Sequence, residues 1–129
     1  MNRLFITASL AAMSGLAHAQ GASLHARRAG ELAELCAQKG KDPVGAAKLN
    51  FCLGYAQGTF DSEEKHAAGK KLFCLTSPAP TRAATMADFA SWVRSSGSTG
   101  TPSQEALLQF MDQKYPCKQA ATIAQSPEW

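Results

Sequence analysis

The sequence predicts an all-α fold, a small disulfide-stapled bundle of about four helices. Three observations carry that prediction. Apolar residues recur at helical spacing in four segments, and no stretch alternates with the period of two that a half-buried strand needs. Gly, Pro and Ser gather between those segments, where connections belong. The 4 cysteines all follow an export leader, and an even count in an exported chain reads as two disulfides.

The leader is Met1 to Ala19. Arg3 gives it a positive start, Leu4 to Leu16 is an apolar run too short to span a bilayer, and Ala17-His18-Ala19 is an A-x-A cleavage site. The mature chain is expected to begin at Gln20 and to reside in the periplasm. Residues 20–118 form a single domain, and 119–129 a tail whose Trp129 could dock on it. Loss of Arg3 takes the formal net charge from +3 to +2. So weak and evenly spread a charge does not point to nucleic acid or an anionic membrane, and neither is expected as the partner of the mature chain. No cofactor is implied. A metal is not expected either, because no C-x-x-C or H-x-x-x-H pair brings ligands together locally.

The first helix is predicted over Ser23–Gln38, with Leu24, Arg28, Leu32, Leu35 and Cys36 on one face. Arg28 can bury its stem there and keep its charge in water. Gly40 suits a C-terminal cap, and Asp42-Pro43 an N-cap followed by a first helical residue. The second helix, Val44–Phe60, is expected to be the central one. Leu49, Cys52, Leu53, Ala56 and Phe60 form its stripe, and Gly54 and Gly58 leave a bare strip for another backbone to approach. Each glycine costs a helix roughly 1 kcal/mol against alanine, which tight packing would have to offset. Tyr55 lies off the stripe. Asp61, at the helix end, opposes the dipole and requires a compensating partner.

The polar stretch Asp61–Lys71 is either a helical continuation or an exposed loop, with Gly69 as its limit. Leu72, Phe73 and Leu75 flank Cys74 and should return to the core, and Ser77-Pro-Ala-Pro80 makes the next connection. The third helix starts at Thr81 or Thr85 and ends near Ser95. Met86, Phe89, Ala90 and Val93 form its stripe, Trp92 its edge, and Thr85 with Asp88 resembles a capping box. Ser95–Pro102 reads as a flexible, uncharged linker. Ser103 is expected to cap the last helix, with Glu105 near its positive end. Leu107, Phe110, Met111 and Tyr115 form the inner face, and Pro116 is the stop.

Antiparallel packing of the last two helices brings the start of the third beside the end of the fourth. Cys74 should then pair with Cys117, which leaves Cys36 for Cys52. Cys52 would lie deep inside a helix beginning at Pro43, so a longer connection and a later start are expected.

A catalytic constellation is hard to assemble, and the chain is not expected to be an enzyme. The mature histidines, His25 and His66, accompany no nucleophile motif, Glu63 and Glu64 read as a solvated face, and oxidation leaves no reactive thiol.

Cys52-Leu-Gly54-Tyr55-Ala-Gln-Gly58, Phe73-Cys74 with a proline soon after, and Tyr115-Pro116-Cys117 resemble the C-x-G-Y-x-x-G, F-C-x-P and aromatic-P-C motifs of the Rap/Tai family of exported immunity proteins. Asp61 follows the first motif, and the likeness runs from about Leu32 to Cys117. The resemblance implies a small helical periplasmic protein, often a homodimer, that binds and blocks a peptidoglycan amidase delivered by type VI secretion. Two departures stand out: Leu-Thr-Ser-Pro follows Cys74, and 95–102 is unusually rich in Gly and Ser. The expected partner-binding elements are the loop Ser96, Gly97, Ser98, Thr99, Gly100 and Thr101, and a second surface at Glu63, Glu64 and Lys65. The alternative function is an HdeA-like periplasmic stress chaperone, which would expose apolar surface in acid. The 10 acids, interspersed with bases, provide no special trigger for it.

Overall fold

The computed structural model describes residues 24–117, which form α1 (Ala29–Cys36), α2 (Pro43–His66), α3 (Arg82–Ser96) and α4 (Ser103–Lys114), with a 3₁₀ turn at Ser98–Gly100. The expected leader, Ser23 and the tail with Trp129 lie outside the described residues. Pairing between extended segments is confined, among the described residues, to an isolated antiparallel bridge between Arg28 and Pro102. The fold is an all-α bundle with two disulfides. Among the described residues no helix is long and apolar enough to cross a membrane.

The helix enclosed by the others is α1, not α2. Ala29, Leu32, Ala33, Leu35 and Cys36 are all buried in its eight residues, whereas the 24 residues of α2 bury Gly45, Cys52 and Ala56. Leu32 packs in a core with Phe89, Val93, Leu107 and Phe110, where the Phe89 and Phe110 rings meet edge to face at 5.6 Å. The helix is shorter than its apolar spacing predicts because Arg28 is held extended (φ −112°, ψ 147°) by its bridge to Pro102. Leu24 and the Arg28 side chain are therefore exposed. At the other end Ala37 closes α1, and Gly40 (φ +64°) turns the connection that follows it.

Asp42 caps α2 as expected, its Oδ1 accepting from the Gly45 N–H at 2.9 Å, with Pro43 in the first turn. The helix does begin at Pro43, and Cys52 does lie well inside it. The expected late start fails because residues 37–42 carry the chain onward past α1. Such a connection reaches about 20 Å, and α2 then returns roughly 13 Å to Cys52. The polar stretch continues the helix to His66. Gln57 Nε2 donates to Asp61 Oδ1 one turn on at 2.7 Å, and Lys65 and His66 sit at the negative end of the dipole. Asp61 is thus a mid-helix acceptor, not a terminal charge. Ala68 (φ +51°) and Gly69 (φ +84°) end the run.

Among the described residues nothing packs on the bare strip at Gly54 and Gly58: a Cβ built at either position meets none of them within 4 Å, and both residues are exposed. Tyr55 is half-buried and stacks on Phe51 with centroids 6.4 Å apart.

Thr81, not Thr85, caps α3. Its Oγ1 accepts from the Ala84 N–H at 3.1 Å, while Thr85 is buried and donates its hydroxyl to the Thr81 carbonyl. Asp88 is drawn instead to Lys114 of α4, and that hydrogen bond holds the Lys114 ammonium above the usual lysine range. Trp92 Nε1 donates to Gln113 Oε1 at 3.1 Å, a second tie between α3 and α4. Ser103 is not a cap. It is the first residue of α4, and the Arg28–Pro102 bridge turns its side chain inward, where Oγ is buried without a hydrogen-bond partner among the described residues.

The bridges are Cys36–Cys52 and Cys74–Cys117, with Cα separations of 5.2 and 4.8 Å, and they use every cysteine. Their sequence separations of 16 and 43 correspond to about 3 and about 4 kcal/mol of loop-closure stabilisation.

Replacing both Cys74 and Cys117 with Ser should lower the urea-unfolding free energy by about 3–4 kcal/mol. Because none of the described residues packs on their strip, Gly54→Ala and Gly58→Ala should each raise it by roughly 0.5–1 kcal/mol. A loss on either alanine substitution in the same denaturation experiment would mean that something does cover these glycines.

Candidate functional site

The Ser96–Thr101 loop is built by three constraints. Gly97 leaves α3 in the left-handed region (φ +71°), where a glycine has no Cβ penalty. The 3₁₀ turn then closes with the Thr101 N–H donating to the Ser98 carbonyl at 3.0 Å. Beyond it the backbone is clamped to the start of α1. The Ala29 N–H donates to the Thr101 carbonyl at 2.8 Å, the Ser103 N–H to the Arg27 carbonyl at 3.1 Å, and Arg28 Nη1 to the Gly100 carbonyl at 3.0 Å. The expected flexible linker is therefore a turn hydrogen-bonded on one side.

Gly30 makes the clamp possible. A Cβ there would lie 3.3 Å from both Thr99 Cβ and the Thr99 carbonyl oxygen, so the close backbone approach expected at Gly54 and Gly58 occurs here. Ser96, Gly97, Thr99 and Gly100 are exposed and Ser98 and Thr101 half-buried, with the Ser96 and Ser98 hydroxyls 2.8 Å apart.

Glu63 and Glu64 part company. Glu63 Oε1 accepts from Gln104 Nε2 at 2.6 Å, which joins α2 to the first turn of α4, just past the loop. Glu64 and Asp61 instead line a groove of ≈ 250 Å³. Phe60, Phe73, Leu75, Met86 and Met111 give it apolar walls, and Arg82, on the α3 side, donates to Gln57 Oε1 at 3.4 Å. Phe73 meets Phe60 edge-on at 5.0 Å, while Leu75 is 48% exposed at the lip. Lys65 and Pro116 are exposed.

His66 is exposed at the end of α2, and His25 borders an open hollow of ≈ 620 Å³ with Glu31, Glu34, Lys48 and Arg94. Among the described residues no three His, Cys, Asp or Glu side chains are grouped to hold a metal ion. The arrangement offers shape and hydrogen-bonding groups to another molecule.

Sequence reasoning gave Arg28 a different role, on a helix face, and did not single out Gly30 or Gln104; the partners of all three lie far along the chain. A glycine inside a short helix was the one available signal. The clamp also has a titratable element. Glu31 Oε2 accepts from the backbone N–H groups of Arg28 at 3.1 Å and Arg27 at 2.9 Å. The bond from Arg28 is the main reason its carboxyl is held below the usual carboxylate range. A depressed folded-state pKa stabilises the clamp above the ordinary glutamate value and loses that contribution as pH falls through the folded value. Amide exchange at Arg27 and Arg28, corrected for the intrinsic rate, should accelerate on acidification. That response should vanish in Glu31→Gln.

No curated protein and no solved structure matches this chain. A family model described as Rap1a immunity proteins matches residues 28–117, from the clamping Arg28 to the Cys117 half-cystine. That span contains all four helices, both disulfides, the loop and the groove. The match covers most of the sequence, and the chain belongs to the Rap1a immunity protein family.

Proposed function

We propose that the mature chain, exported to the periplasm by residues 1–19, binds a peptidoglycan amidase delivered by type VI secretion and blocks it with the Ser96–Thr101 loop. The observation that carries this reading is the clamp. Gly97, Thr99 and Gly100 face solvent while the backbone behind them is bonded to α1. A loop already held in place loses little conformational entropy on entering a cleft, and that cost is what separates tight from weak interfaces of equal area. Blocking by occupancy needs no reactive group of its own. Two disulfides fit an oxidising compartment. Nothing in the structure favours the chaperone reading.

The test uses the purified Gln20–Trp129 protein and, as candidate target, any secreted peptidoglycan amidase found encoded beside its gene, with release of cleaved muropeptide as the readout. Wild-type protein should inhibit stoichiometrically. Gly100→Arg adds bulk at an exposed site where a Cβ meets nothing within 4 Å, and should weaken binding roughly tenfold or more. Full inhibition by Gly100→Arg rules out the loop as the blocking element. No inhibition by wild type rules out that amidase as the target.

A further inference from the structure

The two disulfides sit in different surroundings. Cys36 and Cys52 are 1% and 0% exposed within the core, whereas Cys74 and Cys117 are only half-buried. Cys117 Sγ lies 3.9 Å from the carbonyl oxygen of Lys71, and Lys70 and Lys71 are exposed beside the bridge, where they favour approach of an anionic thiolate.

The outer bridge also has a mechanical position. Between Lys71 and Pro80 the chain forms no helix. Among the described residues, one backbone–backbone hydrogen bond fastens that stretch, from the Cys74 N–H to the Tyr115 carbonyl at 2.8 Å. Phe73 and Leu75, the neighbours of Cys74, form one wall of the apolar groove through the edge-on contact of Phe73 with Phe60 and the half-exposed Leu75. The Cys74–Cys117 bond is thus the covalent hinge of that wall.

We propose that Cys74–Cys117 is a thiol–disulfide exchange site for a dithiol reductant, and that its reduction releases the Lys71–Pro80 wall and opens the groove while Cys36–Cys52 holds the helices together. A thiolate of the dithiol attacks one sulfur of the bridge, forms a mixed disulfide and expels the other sulfur as thiolate. The second thiolate of the dithiol then cleaves the mixed disulfide. The reductant leaves as its own disulfide, and two electrons and two protons end on Cys74 and Cys117. Phe60, Met86 and Met111 then lose the cover of Phe73 and Leu75.

The test treats the full mature protein with dithiothreitol at pH 8 under native conditions, with samples quenched in acid, alkylated and mapped by mass spectrometry. Cys74 and Cys117 should become alkylated roughly tenfold or more faster than Cys36 and Cys52, since access governs exchange. In the singly reduced protein, chymotryptic cleavage after Phe73 should accelerate by a similar factor at unchanged far-UV circular dichroism. The variant Cys74→Ser/Cys117→Ser should show fast cleavage without reductant. If that variant does not fold, the wild-type alkylation order still decides. Release of all four thiols in parallel, or of Cys36 and Cys52 first, overturns the proposal. So does selective reduction that leaves cleavage at Phe73 unchanged.

Discussion

A helix of eight residues has no stability of its own in water, because the nucleation cost exceeds what two turns of hydrogen bonds return. Yet α1 is the most enclosed element of this protein, with Ala29, Leu32, Ala33, Leu35 and Cys36 all buried. Tertiary contacts therefore have to create it, and both of its ends are held from outside. Its C-terminus is bonded to the middle of α2 through Cys36–Cys52. Its N-terminus is fixed by the Arg28–Pro102 bridge and the Ala29–Thr101 hydrogen bond. The rest of the bundle is arranged around that captive segment.

The same constraint positions the candidate blocking loop. The carbonyls of Gly100 and Thr101 are occupied by α1, so the loop keeps one face bonded to the body and presents Gly97, Thr99 and Gly100 on the other. Gly30 is where the arrangement is tightest, since a side chain there would press on Thr99. Structure and proposed function share one set of hydrogen bonds. Membership of the Rap1a immunity protein family fits that economy, because a protein that works by occupying a partner needs a fixed shape more than a reactive group.

The two bridges divide the work. Cys36–Cys52 is sealed in the core and fastens α1 to α2, whereas Cys74–Cys117 lies nearer the surface and fastens a non-helical stretch to the end of α4. That stretch supplies Phe73 and Leu75 to the groove that Asp61 and Glu64 also line. Residues that look unrelated along the chain, an acidic run on α2 and an apolar patch around Cys74, thus belong to one surface feature.

Local signals in the sequence settled what local physics controls. Helical spacing of apolar residues located all four helices, and Asp42-Pro43 carries the cap signature that α2 uses, although the depth of Cys52 argued for a later start. Tertiary structure decided everything that depends on partners distant in sequence. Leu24 and Arg28 have the spacing of a helix face, but pairing with residues near 100 holds Arg28 extended and shortens α1. Thr85 and Asp88 have the spacing of a capping box, but Thr81 caps first and Lys114 claims Asp88. Gly54 and Gly58 have the spacing of a packing strip and meet none of the described residues there, while Gly30 is pressed against Thr99. Spacing fixes which side chains share a face. Which face meets another segment depends on where the remaining chain returns, and no local pattern encodes that.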